Sequence, residues 1–380
     1  MECLSKSWFW FQEVLPTRPM QLRLVSRPID RQVYAPMRIP DITEWDTLSL
    51  DQQLDIARAL QSRLPASLRF TGVRRFSMKT RSHAVALFSA DNESVFALIP
   101  GGEVELGFDA SGWEPSPDEA ESWADTAEEY GIEKTLTEHI DSATTPRRRV
   151  AMDPFLIETR ATEVGWERIG LDDPDAKELV DHFPSGNRPH TSSMSRGGRE
   201  IRVARDPSGR ITAEIANHPT HETLCAALRD RGFRFPTSDE WEFVCGAGAT
   251  TLFRWGDHVP CDRYPTDISP AEAAWRSEWV LSAGKLDYPA EGFEPDWDFH
   301  RRPNAFGLII AENPYKYELV AEADTTRGGD GGCTICGGTG FFVGWLTLAT
   351  AYFEPHACKI DPEHGISAGY TIGRRVLPLA

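Results

Sequence analysis

The sequence predicts an α+β fold with low regular secondary structure and long ordered loops. Its 380 residues include 12 Trp, 30 Gly and 27 Pro, a composition typical of irregular segments that pack around aromatic side chains. Helix-start signals are few, and short apolar runs do not alternate with helices in a regular order. Because a doubly wound parallel sheet needs that alternation, the pattern indicates an α+β protein rather than an alternating α/β protein.

The composition also limits the class of partner. A net charge of −18 disfavours nucleic acids and anionic membranes as partners. No apolar run approaches the roughly 18 residues of a membrane span, and the first residues do not resemble a secretory signal. The seven cysteines are an odd number in a long chain, which disfavours a disulfide scaffold. We therefore expect a cytoplasmic protein without a membrane or nucleic-acid partner, and the oligomeric state is not predicted.

Two regions are expected along the chain, residues 1–90 and residues 91–380. The first region begins with a proline-rich stretch that has few periodic apolar positions, which indicates an extended arm. An amphipathic helix should follow over residues 49–64, where Ser49 and Gln52 fit a capping box. We expect the arm and the helix to pack on the main domain formed by residues 91–380.

Apolar runs and capping residues predict the other secondary-structure elements. The expected strands lie at residues 84–88, 95–99 and about 146–160. Helices are expected at residues 162–169, 221–231 and 238–245, the last two beginning after Thr220 and Thr237. Residues 171–200 contain Pro, Gly and Ser without a clean period and are expected to form a loop.

An acidic segment covers residues 111–139 and contains few aliphatic side chains. Such a composition is expected to bury too little apolar area to offset the entropy of ordering. The sequence therefore predicts a solvated, partly helical insertion in the main domain.

The strongest chemical signal is the glycine-rich segment 326–342, which contains Cys333 and Cys336. Glycines let the backbone adopt positive φ angles and approach a ligand closely. Two thiols three positions apart can chelate a soft metal or form a disulfide. The segment is therefore the first candidate for a functional site.

Several stretches of the chain resemble the formylglycine-generating-enzyme, or sulfatase-modifying-factor, family. The resemblance covers about residues 95–380 and implies a C-type-lectin-like α+β fold. The matching stretches are F-A-L-I-P-G-G-E-V-E-L-G (96–107), P-R-R-R-V-A-M-D-P-F-L-I-E-T-R-A-T (146–162), N-H-P-T (217–220), F-R-F-P-T-S-D-E-W-E-F-V-C-G-A-G (233–248), F-R-W-G-D (253–257), N-A-F-G-L (304–308), R-G-G-D (327–330) and G-R-R-V (373–376).

The resemblance implies a copper-dependent oxidase that converts a peptidyl cysteine to formylglycine with oxygen. In such enzymes two active-site cysteines bind Cu(I), and Cys333 stands at the place of the first. Cys336 follows after two intervening residues, whereas the second cysteine of those enzymes follows after four, and Asp330 replaces a serine. Cys333 and Cys336 are accordingly the predicted catalytic and metal residues, with Asp330, Gly331 and Gly332 as predicted ligand-binding residues.

Other metals are less favoured for this segment than copper. A zinc site could combine the two cysteines with His356 and Cys358, but zinc knuckles pair two C-x-x-C motifs and this chain has one. Calcium is not expected, because a hard cation needs several converging oxygens. The stretch after N-A-F-G-L departs from the loop that holds calcium in the family, and it offers only Asn313 and Glu318.

A reading without a metal also stays open, since free cysteine behaves as a small hydrophobic residue. Cys333 and Cys336 would then be buried in a glycine-rich turn. The chain would be a non-catalytic member of the fold that binds a peptide or a small molecule, because a fold by itself does not imply an activity. Cys225 and Cys245, beside apolar residues of predicted helices, are expected to be core residues.

Overall fold

The computed structural model describes residues 37–90, 94–186, 188–281, 297–332, 340–353 and 365–379. Within these ranges the protein is an α+β structure with three larger sheets, one two-stranded antiparallel sheet and nine α-helices. The helices are α1 (Ile42–Thr47), α2 (Leu50–Gln61), α3 (Pro117–Tyr130), α4 (Leu136–Ala143), α5 (Pro174–Asp181), α6 (His221–Arg229), α7 (Ser238–Gly246), α8 (Pro270–Leu281) and α9 (Phe341–Leu346). None of these helices is both long and apolar enough to cross a bilayer.

The described residues also form fifteen strands. They are β1 (Leu68–Met78), β2 (Arg81–Ala90), β3 (Val95–Ile99), β4 (Gly102–Leu106), β5 (Arg148–Met152), β6 (Phe155–Glu158), β7 (Thr162–Glu163), β8 (Trp166–Ile169), β9 (His190–Arg196), β10 (Arg199–Arg205), β11 (Ile211–Ala216), β12 (Tyr317–Leu319), β13 (Thr326–Arg327), β14 (Thr371–Gly373) and β15 (Val376–Pro378). The first 36 residues, most of the predicted arm, lie outside the described ranges.

The largest sheet is antiparallel, in the order β1-β2-β3-β6-β15. The predicted strands at residues 84–88 and 95–99 are confirmed as parts of β2 and β3. Alternate side chains of β2 enter two different cores, because successive residues of a strand face opposite sides of the sheet. Val85 packs in one core and Ala86 in the other, so both faces of the sheet are covered.

The boundary expected at residue 90 falls between two paired strands. Leu87 of β2 is opposite Ala97 of β3 in the antiparallel register. Strands β1 and β2 therefore belong to the same sheet as β6 and as β15, the last described strand. Helix α2 covers one face of this sheet, where Leu60 packs in the same cluster as Phe88.

The helix predicted at 162–169 and the loop predicted at 171–200 are both wrong. The first range forms β7 and β8, and the second contains α5 and β9. The sheet β8-β11-β10-β9 is antiparallel, and α5 packs on it through Leu179 against Val203 of β10. Strand β9 has little apolar alternation, so its own sequence does not indicate a strand. Pairing with β10 stabilises it instead.

The solvated insertion predicted at 111–139 is also a wrong interpretation. The segment contains α3 and the start of α4, and Trp113, Trp123 and Leu136 are buried in one core cluster with Phe342 and Tyr352 of α9 and its following turn. These three large side chains face the core and bury apolar area. The average composition of the segment does not indicate this burial, because the acidic residues outnumber them. The acidic residues stay mostly on the outer side.

The predicted helix starts in the rest of the chain are confirmed. Capping boxes are formed by Ser49 with Gln52 and by Thr237 with Glu240, and Thr220 caps α6 through its hydroxyl. The predicted strand near 146–160 is divided into β5 and β6. The third larger sheet has the order β13-β12-β14-β7, in which only β12 and β14 are parallel.

Candidate functional site

A buried ion-pair network holds the start of the glycine-rich segment. Arg327 at the end of β13 is 1% exposed and donates from Nη2 to Oε2 of Glu242 on α7 over 2.9 Å. Its other nitrogens donate to the Ser238 hydroxyl and to the carbonyl of Tyr352. The guanidinium carbon lies 5.7 Å from the centre of the Trp241 ring. These contacts supply the partners that a buried charge requires, and they fix the chain just before Gly328.

Glu242 joins this network to the opposite side of the core. Its carboxylate also accepts hydrogen bonds from the amide of Gly107, the hydroxyl of Thr145 and the guanidinium of Arg148. Glu242, Arg148 and Arg327 come from three separate stretches of the family resemblance. The fold therefore brings residues from three distant parts of the chain to one buried carboxylate.

The structure places Asp330, Gly331 and Gly332 directly before the predicted metal ligands. Both glycines are buried and Asp330 is half-buried. A Cβ at Gly331 would lie 2.7 Å from the Thr347 hydroxyl, and a Cβ at Gly332 would overlap the Tyr315 ring. The close packing of the backbone therefore requires these two glycines. Their predicted role in ligand binding stays a prediction.

The other end of the glycine-rich segment packs against α3. The amide of Phe342 donates to the Ser122 hydroxyl over 3.2 Å, and a Cβ at Gly340 would overlap the Thr126 hydroxyl. Ser122 and Thr126 are buried, and with Glu119 they lie on one helical face because their spacing is three and four residues. The acidic segment therefore supplies a polar face beside the end of the glycine-rich segment.

Glu119 and His258 form a carboxylate–imidazole pair on this face of α3. Glu119 is completely buried, and its Oε2 accepts from Nδ1 of His258 over 2.9 Å. Its other oxygen accepts from the amide of Val259, also over a short distance of 3.0 Å. Holding the proton on Nδ1 leaves Nε2 of the neutral imidazole as a proton acceptor, and the side chain is 56% exposed. His258 can therefore accept a proton from a group in solvent.

The three cysteines in the described part of the chain are poor metal ligands. Burial raises the pKa of Cys245 to about 11. Burial, with Glu119 and other nearby carboxylates, raises the pKa of Cys261 to about 12. Burial also raises the pKa of Cys225. All three thiols stay protonated near neutral pH, whereas the thiolate is the form that binds a metal.

The expectation that Cys245 belongs to the core is confirmed, since it is completely buried beside Val244. Cys225 packs at the edge of a smaller cluster and is half-buried. Its sulfur lies 3.6 Å from Nδ1 of His221, whose Nε2 is bound to the Val320 carbonyl. Both cysteines therefore pack against apolar clusters of the fold.

The predicted metal ligands Cys333 and Cys336 lie outside the described residues, as do His356 and Cys358. Within the described ranges no group of three or more His, Cys, Asp or Glu side chains is arranged to hold a metal ion.

The oxygens considered for calcium have other partners in the structure. Glu318 is buried and paired with Arg374, while the Asn313 side chain accepts from the amide of Tyr315. Arg375, the next residue of the G-R-R-V stretch, pairs with Glu158 in the same way. These matching residues therefore contribute buried ion pairs to the fold.

Sequence reasoning missed Glu119, Ser122, Thr126 and His258 as neighbours of the glycine-rich segment. The sequence did contain a signal for this helix, because Ser116 and Glu119 form a capping box. Glu119, Ser122 and Thr126 also follow a helical spacing. His258 directly follows the W-G-D stretch. Only the tertiary structure joins His258 to Glu119, which is 139 positions earlier.

Comparisons with known proteins add no assignment to this geometry. No protein-family model matches the chain, and no curated protein matches it significantly.

Proposed function

We propose that this chain is a formylglycine-generating-enzyme-like protein with a C-type-lectin-like fold. In this proposal Cys333 and Cys336 bind Cu(I), and the protein oxidises a peptidyl cysteine to formylglycine in the cytoplasm. Oxygen is the oxidant, an external thiol supplies the two further electrons, and sulfide and water are released. The observation that carries the proposal is the meeting of Arg148 and Arg327 at Glu242. Residues from three stretches that resemble the family contact each other, as expected if those stretches were kept together by one fold.

The two ends of the glycine-rich segment support the metal part of the proposal. The segment is held by Arg327 before the cysteines and by Ser122 after them. A metal site needs ligands whose positions are fixed by a surrounding shell of contacts. The C-x-x-C thiols have the softness that Cu(I) prefers, and the bound metal would supply the activation of oxygen.

The chain's own residues would assist in two ways. Glu119 keeps His258 in the tautomer that accepts a proton at Nε2, as the removal of a proton from a substrate requires. Asp330 lies half-buried directly before the buried Gly331, and its carboxylate has acceptor sites for a hydrogen-bonding group of a peptide in addition to its partner within the protein.

A second candidate function is a non-catalytic module that binds a peptide or a small ligand. The observation that favours it is the structural use of the matching residues: Glu240 caps a helix, Glu242 binds Arg327, and Glu318 binds Arg374. All of these contacts stabilise a fold, which can exist without an activity.

Copper binding separates the two candidates. The anaerobic protein should take up about one Cu(I) per chain, because two thiolates compete well for this soft ion. The variant Cys333→Ser/Cys336→Ser should lose that copper, whereas the matched control Cys261→Ser should keep it, since the Cys261 thiol stays protonated. The copper-loaded protein should also convert a cysteine peptide to an aldehyde that reacts with a hydrazide probe.

Equal Cu(I) uptake by the wild type and the double-serine variant would refute the copper site. If a strong chelator of zinc lowers the melting temperature instead, the cysteines belong to a structural zinc site, because metal binding then contributes folding free energy. Copper binding without peptide oxidation would support the non-catalytic candidate.

A further inference from the structure

A cavity of about 210 Å³ lies between the two-stranded sheet β4–β5 and the turn that follows α7. Three consecutive arginines line it, Arg147, Arg148 and Arg149, and Glu105 is the one carboxylate among its lining residues. Leu106 and Ala249 contribute apolar surface. The volume is large enough for a small organic group, and the lining carries an excess of positive charge.

Two of the three arginines already have carboxylate partners. Arg148 pairs with Asp239 and Glu242, with nitrogen–oxygen distances of 2.5 and 2.9 Å. Arg149 pairs with Glu105 over 3.2 Å at the surface. A guanidinium group is suited to a carboxylate, because two of its N–H donors match the two carboxylate oxygens.

Arg147 differs from its two neighbours. It is exposed, and no hydrogen bond or ion pair within 4 Å joins it to another residue in the described ranges. Its charge acts on Asp109 only at longer range, where it helps to lower the pKa of that carboxyl behind the stronger hydrogen bonds from Ser111. Its five N–H donors are therefore available to a ligand.

The backbone around the cavity is held in place before any ligand binds. Strands β4 and β5 pair along their full length, and Leu106 is opposite Arg148. The amide of Phe108 donates to the Thr145 carbonyl over 2.9 Å, which fixes the chain just before Arg147. On the other side, the amide of Ala249 donates to the Gly246 carbonyl over 2.9 Å and fixes the turn that carries Thr250. A preformed site loses less entropy on binding.

We propose that this cavity binds the carboxylate group of a small organic acid or of an acidic peptide residue. Arg147 supplies the charged donors, and the exposed Thr250 supplies a hydroxyl. Leu106 and Ala249 contact the apolar part of the ligand. A singly charged carboxylate fits better than a doubly charged phosphate, because Glu105 and Asp109 would repel the second negative charge more strongly.

This proposal is independent of the copper site. None of the residues that line the cavity belongs to the glycine-rich segment 326–342. A failure of the copper experiment therefore leaves the cavity unaffected, and a failure of the cavity experiment leaves the copper site unaffected.

Binding is tested with two probes, butyrate and an acetylated, amidated peptide that contains one glutamate. Each is titrated into the full-length protein while the amide NMR signals of Ala249 and Thr250 are followed. Both signals should shift, and the probe with the tighter binding identifies the source of the carboxylate. Arg147→Gln should weaken binding about tenfold, because a charge-assisted hydrogen bond is lost, and Thr250→Val should weaken it less.

The matched control is Arg168→Gln, which removes an exposed arginine of β8 outside the cavity. It should bind both probes like the wild type, and circular dichroism should show that all variants are folded. The proposal is overturned if neither probe shifts the two signals, or if Arg147→Gln and Arg168→Gln bind equally. Tighter Arg147-dependent binding of inorganic phosphate than of butyrate would overturn the choice of a carboxylate.

Discussion

Glu242 and Asp298 are both buried carboxylates, but their surroundings differ. The Glu242 oxygens accept hydrogen bonds from Arg148, Arg327 and two further donors. The Asp298 side chain is completely buried, and neither of its oxygens has a hydrogen-bond donor in the described part of the chain. A buried charge is tolerated only where donors replace the lost water.

His300 lies two residues from Asp298, and its side chain is also buried with an incomplete set of hydrogen bonds. Its Nε2 donates to the Pro265 carbonyl over 2.9 Å, while its buried Nδ1 has no hydrogen-bond partner among the described residues. Burial, with the nearby Arg301 and Arg254, holds the pKa of His300 well below its ordinary value. The charges around Glu242 are thus compensated by one another, whereas the region around His300 favours a neutral ring.

The largest expected effect is the loss of the carboxylate at the centre of the first region. Glu242→Ala should lower the free energy of unfolding by about 3–5 kcal/mol, because it leaves the buried guanidinium of Arg327 without its counter-charge. The control Glu105→Ala breaks a pair whose side chains are 78% and 62% exposed, and it should cost less than about 1 kcal/mol. Urea unfolding of both variants measures the difference, and equal costs would contradict the structural role given to Glu242.

The second effect is a dependence of stability on pH caused by His300. Its folded pKa is depressed from the ordinary 6.5, so below about pH 6.5 the unfolded chain binds a proton that the folded protein does not. This contribution to stability is fully present above that pH and is lost as the pH falls, by up to about 1.4 kcal/mol per unit.

His300→Gln should flatten this dependence between about pH 7 and 5.5, because glutamine does not titrate there. Urea unfolding of the wild type and the variant at both pH values isolates the effect, since the other histidines are common to both proteins. An identical change in the two proteins would mean that His300 is protonated equally in the folded and unfolded states.

The smallest effect is expected at Asp298. Asp298→Asn should not lower the free energy of unfolding, because no hydrogen bond to a described donor is lost and a buried charge that lacks donors is removed. The same neutralisation in Glu242→Gln should cost about 2 kcal/mol or more, because that carboxylate holds two guanidinium groups. A comparable loss in both variants would remove the contrast between the two regions.

The candidate site was predictable only where the chemistry is local. The C-x-x-C spacing predicts a soft-metal motif from four residues, and that motif lies outside the described residues. The cavity beside β5 was not predictable, because the partners of Arg148 lie more than 90 positions away and leave Arg147 as the arginine available to a ligand. The carboxylate that orients His258 was missed for the same reason, since Glu119 lies in a segment whose acidic composition indicated exposure.

By itself the sequence determined the α+β class, the strands β2 and β3, and the starts of helices at Ser49, Thr220 and Thr237. Capping depends on side chains within about three residues of each other, so the chain carries that information locally. The tertiary structure decided the burial of 111–139, the strands β8 and β9, and the pairing of Glu242 with Arg327 across 85 positions. Each of these depends on which distant segment covers a side chain or a strand edge, and only the packed chain supplies that partner.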